Sequence, residues 1–190
     1  EEPHEIEGLL APGGEYLLRE EAPPDGYAWE EEIRFRVSED GTVDAVVMED
    51  RPTRAEFTKY EISGERELPG ARLCLTDGGG AVLERWVSSA QAHVIEGALK
   101  AGQTYCLREE APPDGYWPAE DVFFTVPADG STVRVAMRDR PTRVFVEKHA
   151  LEKDGHTDAG LLPGARLRIR DAGGRIRAEW VSGRTPHCLE

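Results

Sequence analysis

The chain has 190 residues, a formal net charge of −14 and 39% hydrophobic residues, a composition typical of a globular protein with one or two domains. The acidic excess argues against nucleic acid or anionic lipid as a partner, because both require concentrated Lys and Arg. No apolar run approaches the roughly 18 residues that a membrane-spanning helix needs, so no membrane partner is predicted.

The three cysteines, Cys74, Cys106 and Cys188, lack the C-x-x-C spacing of a metal site, and their number is odd. The histidines do not form a cluster that could supply a ligand shell. We therefore predict no metal, no cofactor and no disulfide that holds the fold together.

From its first segment onward the sequence repeats itself. YLLREEAPPDGY at Tyr16–Tyr27 returns as YCLREEAPPDGY at Tyr105–Tyr116, an offset of 89 residues. LPGARL returns from Leu68 to Leu162 after 94 residues, so the third copy carries a short insertion. The period is therefore about 89 residues.

These offsets divide the chain into three parts. Residues 1–53 match the C-terminal half of a first repeat, residues 54–142 form a complete repeat, and residues 143–190 match the N-terminal half of a third. Because half of a sandwich exposes apolar faces and unpaired strand edges, we expect the chain to be an excerpt from a longer array.

The complete repeat reads as an all-β domain, because short runs rich in Val, Phe, Tyr, Thr and Leu alternate with clusters of Gly, Pro and Asp. Helical periodicity is nowhere sustained. Seven strands are predicted in chain order: Glu56–Ile62, Ala71–Thr76, Val82–Val87, His93–Leu99, Thr104–Glu109, Asp121–Val126 and Thr132–Asp139. Seven strands in about 89 residues indicate a β-sandwich or a barrel.

Three charged residues continue apolar rows of these strands. Side chains alternate along a strand, so Lys59 shares a face with Phe57, Glu109 with Leu107, and Asp139 with Met137. Buried ions are almost always paired, so we expect one amine and two carboxyls to meet in the core.

The amine at position 59 is notable because only four of the 23 basic residues are lysines, and Lys59 and Lys148 occupy the same repeat position. An amine can lose its proton, whereas a guanidinium cannot. In a buried site the free amine could attack the Asp139 carboxyl while protonated Glu109 stabilises the oxyanion and relays protons. The product would be an amide.

These residues resemble the collagen-adhesin B-type and SpaA-type pilin domains of Gram-positive surface proteins, over the whole chain. The resemblance implies an all-β fold of tandem immunoglobulin-like or prealbumin-like β-sandwich repeats. That family is marked by a Lys on an early strand, an E-x-x-A-P-x-G-Y-like segment and an Asp or Asn on the last strand. Glu109–Tyr116 fits the segment except for Pro112 in the Ala position, which places the catalytic Glu at Glu109.

The resemblance implies a spontaneous isopeptide bond between Lys59 and Asp139, with Glu109 as its catalyst and no enzyme activity beyond this single turnover. Glu20 and Asp50 would be the equivalents in the first partial copy, and Lys148 in the third. The implied protein is an extracellular, cell-wall-attached adhesin or pilin stalk of a Gram-positive bacterium. Its implied partners are neighbouring repeats of the same chain, with pilus subunits or host extracellular matrix as further candidates.

Several alternatives remain open from the sequence. The three charged groups could form an ion network without chemistry, and the module could instead be an adhesin domain that binds a host matrix protein or glycan. Residues 143–190 of one molecule could also complement residues 1–53 of another, through Lys148 and Asp50. A glycosidase with paired carboxylates is disfavoured, because the carboxylates recur on core rows beside a Lys.

The linkers between copies are short. Arg51–Arg54 and Arg140–Arg143 share the sequence RPTR and form nearly the whole connection between one repeat and the next. Pro stiffens such a segment, so we expect successive repeats to form a semi-rigid rod.

Overall fold

The computed structural model describes residues 4–29, 31–40, 42 and 45–189. Within these ranges the chain forms sixteen strands and no helix, and thus no helix that could cross a membrane. In chain order the strands are β1 (Glu15–Leu18), β2 (Ile33–Arg36), β3 (Arg54–Glu61), β4 (Arg72–Asp77), β5 (Val82–Val87), β6 (His93–Glu96), β7 (Thr104–Ala111), β8 (Tyr116–Trp117), β9 (Val122–Thr125), β10 (Val133–Pro141), β11 (Val144–Val146), β12 (His149–Leu151), β13 (Asp158–Leu161), β14 (Arg166–Arg170), β15 (Ile176–Val181) and β16 (His187–Leu189).

The strands fall into two compact units. The first comprises Glu1–Asp114 with Pro118–Arg140, and the second comprises Gly115–Trp117 with Pro141–Glu190. In the second unit β11 pairs with β16, β12 with β13, and β14 with β15, all antiparallel.

The first unit contains a β-sandwich, as predicted. One sheet has the strand order β5-β4-β7-β9, with every pair antiparallel. In the other sheet β3 lies between β6 and β10, antiparallel to β6 and parallel to β10. The first partial copy adds the antiparallel pair β1–β2 to this unit.

Alternating side chains of the two sheets meet in one core. On β3 and β10 every second residue is buried, which is the pattern of a strand with one face inward. The core residues are Ala55, Phe57, Ala71, Leu73, Leu75, Ile95, Leu99, Tyr105, Leu107, Phe124, Val126, Val135 and Met137. Phe57 packs against Trp86 and Phe124 at centroid distances of 5.4 Å for each pair.

All seven predicted strands of the middle repeat are present, with ends that differ by a few residues. Strand β7 continues to Ala111 and β10 to Pro141, beyond the predicted ends, whereas β6 stops at Glu96, three residues early. The sequence patterns missed β8, because a two-residue strand is too short to show alternation.

One packing feature recurs between copies. Trp86 stacks on His93 with a centroid distance of 4.3 Å, and Trp180 stacks on His187 at 4.8 Å. Both pairs occupy positions related by the 94-residue offset. His93 and His187 therefore each pack against the tryptophan of their own copy.

Candidate functional site

The two sheets bring Lys59, Glu109 and Asp139 together inside the sandwich. Lys59 on β3 and Asp139 on β10 lie on neighbouring parallel strands, offset by two residues, because Lys59 is in register with Met137. Glu109 on β7 comes from the facing sheet. The inward alternation that places Phe57 and Met137 in the core places these charged groups there as well.

The amine of Lys59 contacts both carboxyl groups. Its Nζ lies against Asp139 Oδ1 and 3.2 Å from Glu109 Oε1. Lys59 is 1% exposed and Asp139 is 0% exposed, so water does not compete for these contacts. Removing such groups from water is costly unless they pair or become neutral.

A backbone donor orients the Glu109 carboxyl. The N–H of Ala119 donates to Glu109 Oε2 at 2.8 Å, which turns Oε1 towards the Lys59 amine. On the other side of the cluster, the backbone N–H of Lys59 donates to Glu67 Oε2 at 2.9 Å. Sequence reasoning missed both contacts, since a backbone donor leaves no side-chain signal and Glu67 looks like any surface glutamate.

The pKa of Asp139 is raised to about 6, chiefly by burial; Lys59 lowers it, and the nearby Glu109 carboxyl adds to the rise. In the part of the chain that the structure describes, Asp139 Oδ2 is buried without a hydrogen-bond donor, whereas Glu109 Oε1 faces the Lys59 amine. Burial therefore favours the neutral form of the Asp139 carboxyl beside that amine.

The raised pKa of Asp139 predicts a pH dependence in the variant Lys59→Ala. A carboxyl whose folded-state pKa exceeds its unfolded value stabilises the fold below the unfolded value, and this stability is lost as pH rises through the folded value. Because Lys59 lowers the pKa of Asp139, its removal moves the folded-state value above about 6, so we expect the urea midpoint of Lys59→Ala to fall as pH rises from about 4 to beyond about 6. The double variant Lys59→Ala/Asp139→Asn should have a flatter profile, and equal slopes in the two proteins would contradict the assignment.

The residues of the partial copies that are equivalent to the buried cluster lie in more exposed environments. Glu20 is half-buried with Oε2 lacking a donor among the described residues, and Asp50 is half-buried. Lys148 is exposed, and its Nζ donates to the backbone carbonyl of His149 at 3.1 Å. A complete cluster is therefore seen in the middle repeat.

The region that the structure describes contains no group of three or more His, Cys, Asp or Glu side chains arranged to hold a metal ion. Cys74 and Cys106 are buried free thiols on β4 and β7. Burial raises the pKa of Cys106, which keeps its thiol protonated.

Comparison with known proteins finds a family model that matches the middle repeat. A model of the SpaA prealbumin-like fold domain matches residues 53–141. No curated protein matches the chain.

Among solved structures, the Bacillus anthracis TIE protein is 18% identical with a TM-score of 0.52 and covers 93% of this chain, which spans 34% of that protein. The shaft pilin SpaA of Lactobacillus rhamnosus GG is 19% identical with a TM-score of 0.40, covering 67% of this chain and 62% of its own. A variant of BcpA, the major pilin subunit of Bacillus cereus, is 16% identical with a TM-score of 0.44. The match covers 51% of this chain and 31% of that protein. At 18% identity the first match supports the fold alone. The middle of this chain, residues 53–141, is similar to SpaA-type prealbumin-like fold domains.

Proposed function

We propose that the middle repeat closes an internal amide bond between the Lys59 amine and the Asp139 side-chain carboxyl. The observation that carries the proposal is the contact of Lys59 Nζ with Asp139 in a buried site beside Glu109. A neutral amine is a nucleophile, and a neutral carboxylic acid is a better electrophile than a carboxylate. Burial in the core raises the pKa of the Asp139 carboxyl and so favours its neutral form.

The atoms balance as a condensation. Lys59 Nζ attacks the Asp139 carboxyl carbon and forms a C–N bond, and the hydroxyl of that carboxyl leaves as water with one proton taken from the amine. Glu109 donates a proton towards the developing oxyanion and accepts one from the attacking amine, so it ends in its starting form. Three buried ionisable groups become one amide and one carboxylic acid, which removes most of the electrostatic cost of their burial.

Ala119 and Glu67 support this chemistry by position. The backbone N–H of Ala119 holds one oxygen of Glu109, so the other oxygen faces the amine. The hydrogen bond from the Lys59 N–H to Glu67 anchors β3 at the residue that reacts. Groups held in place before reaction lose little entropy on reaching the transition state.

The cross-linked repeat would serve as a structural spacer in a bacterial surface protein. Its support is the match to a SpaA-type domain together with the repetition of that sequence before and after residues 53–141. A stalk or pilus shaft of such repeats would stand outside the cell wall of a Gram-positive bacterium, with neighbouring repeats and other pilus subunits as partners. The amide would give each repeat resistance to force and to proteases.

Intact mass measurement tests the bond. We expect the purified chain to be lighter than its sequence mass by one water, and a digest to contain one peptide pair joined through Lys59 and Asp139. The variants Lys59→Ala, Glu109→Ala and Asp139→Ala should have their full sequence masses.

The matched control is Lys148→Ala, which removes the lysine at the same repeat position in the third copy. Because Lys148 is exposed and bonded to a backbone carbonyl, this variant should still lose one water. A full sequence mass for the unaltered chain would refute the bond, and a water deficit that survives Glu109→Ala would refute the role of Glu109.

A further inference from the structure

The linker between the first partial copy and the middle repeat is packed rather than free. Thr53 of the RPTR linker is 2% exposed. Its hydroxyl donates to the backbone carbonyl of Leu99 at 2.6 Å, and its own carbonyl accepts from the N–H of Gly97 at 2.9 Å. Both partners belong to the loop after β6, so the linker is bonded to the repeat that follows it.

The Asp-Gly turn of the first copy docks on the same loop. Gly26 has φ of +87°, and a Cβ at this position would overlap the carbonyl oxygen of Gly97. The Gly26 carbonyl accepts from the Thr53 N–H at 2.8 Å, which ties the turn to the linker. Only glycine meets both the backbone conformation and the close approach.

A second loop of the middle repeat completes the contact. Ala28 is 1% exposed, and a Cβ on Gly130 would lie 3.1 Å from the Ala28 Cβ. The Trp29 N–H donates to the carbonyl of Ala128 at 3.1 Å. At the edge of this contact, Lys100 Nζ and Asp25 Oδ2 form an exposed ion pair at 2.9 Å. An exposed pair adds little to stability, but it places opposite charges on the two facing surfaces.

We infer that successive repeats of this array dock through a specific joint, in which the Asp-Gly turn and linker threonine of one repeat bind two loops of the next. The joint is defined here as residues 25–29 and 51–53 against 97–102 and 128–130. It fixes the orientation of one copy on the next, so the array is a rod with set angles. The biological meaning of this rod depends on the spacer function proposed above, whereas the joint itself does not require the amide bond.

The same half of the joint is present at the end of the middle repeat. Gly115 and Thr142 are the counterparts of Gly26 and Thr53 at the 89-residue offset. The Gly115 carbonyl accepts from the Thr142 N–H at 2.7 Å and from its hydroxyl at 3.0 Å. Gly115 has φ of +91°, yet a Cβ there would meet nothing within 4 Å. The turn and threonine are thus bonded to each other here as they are in the first copy.

This pair of glycines supplies a matched experiment on the full chain. Gly26→Ala and Gly115→Ala impose the same left-handed backbone strain, but only Gly26→Ala places a methyl group against Gly97. Two amides cross the joint, Gly97 N–H to Thr53 and Trp29 N–H to Ala128. We expect hydrogen exchange at both amides to accelerate about ten- to a hundredfold in Gly26→Ala and to stay unchanged in Gly115→Ala.

A second pair tests the hydroxyl alone. Thr53→Val keeps the β-branched shape and removes the hydrogen bond to Leu99, so exchange at Gly97 should accelerate several-fold. Thr142→Val should leave Gly97 unaffected. Equal effects of the paired variants, or exchange of the Trp29 amide at the rate of an unstructured peptide in the unaltered chain, would overturn the joint.

Mass measurement on the same samples separates this proposal from the amide bond. A water deficit retained in Gly26→Ala would indicate that the middle repeat still folds, so that accelerated exchange reports the joint itself. Protected Gly97 and Trp29 amides in a chain without the water deficit would uphold the joint and refute the bond.

Discussion

The variant Glu109→Gln should lower the free energy of unfolding of the middle repeat by about 4–5 kcal/mol, because it removes the catalyst of the amide bond and leaves β3 and β10 unlinked. By analogy with disulfides, closing a loop between residues 80 apart removes about this much chain entropy from the unfolded state. For a domain of this size the loss corresponds to a melting temperature lower by about 20 °C or more.

Calorimetry with intact mass on the same samples checks this result. Glutamine keeps the size of Glu109 and can still accept from the Ala119 N–H, so the variant isolates the bond from the packing. Lys59→Ala should be destabilised further, since it also leaves Glu109 and Asp139 buried without a cation. Lys148→Ala should melt like the unaltered chain. A Glu109→Gln protein that lacks the bond yet melts at the same temperature would refute the stabilising role.

Strand alternation alone located the members of the buried cluster. Phe57 precedes Lys59 by two residues, Leu107 precedes Glu109, and Met137 precedes Asp139, so each charge extends an apolar row. Since a strand has a side-chain period of two, a residue two positions from a core residue faces the core as well. The structure places all three inside the sandwich.

Other features depend on tertiary contacts that no local pattern encodes. The parallel pairing of β3 with β10 joins segments about 80 residues apart, and alternation along a strand does not identify its neighbour. The Ala119 N–H acts through the backbone, which every residue except proline has. The burial of Thr53 was missed because an RPTR segment between repeats resembles an exposed linker, whereas its hydroxyl finds Leu99 in the next repeat.

The parallel pairing of β3 and β10 also determines how the repeat should respond to force. Tension enters at the start of β3, at Arg54, and leaves at the end of β10, at Pro141. An amide between Lys59 and Asp139 would carry the load from one strand directly to the other. The residues between them would then bear no tension, since a covalent bond spans their ends.

Single-molecule stretching of the full chain between its termini should therefore reveal no extension from residues 60–138. In Glu109→Gln the same segment is under load, and its unfolding should add about 28 nm of contour length, from 80 residues at about 3.5 Å each. The partial copies contribute equally in both proteins, so the difference between them isolates the middle repeat. Lys148→Ala should match the unaltered chain. An additional step of about 28 nm in molecules whose mass includes the water deficit would contradict a load-bearing bond.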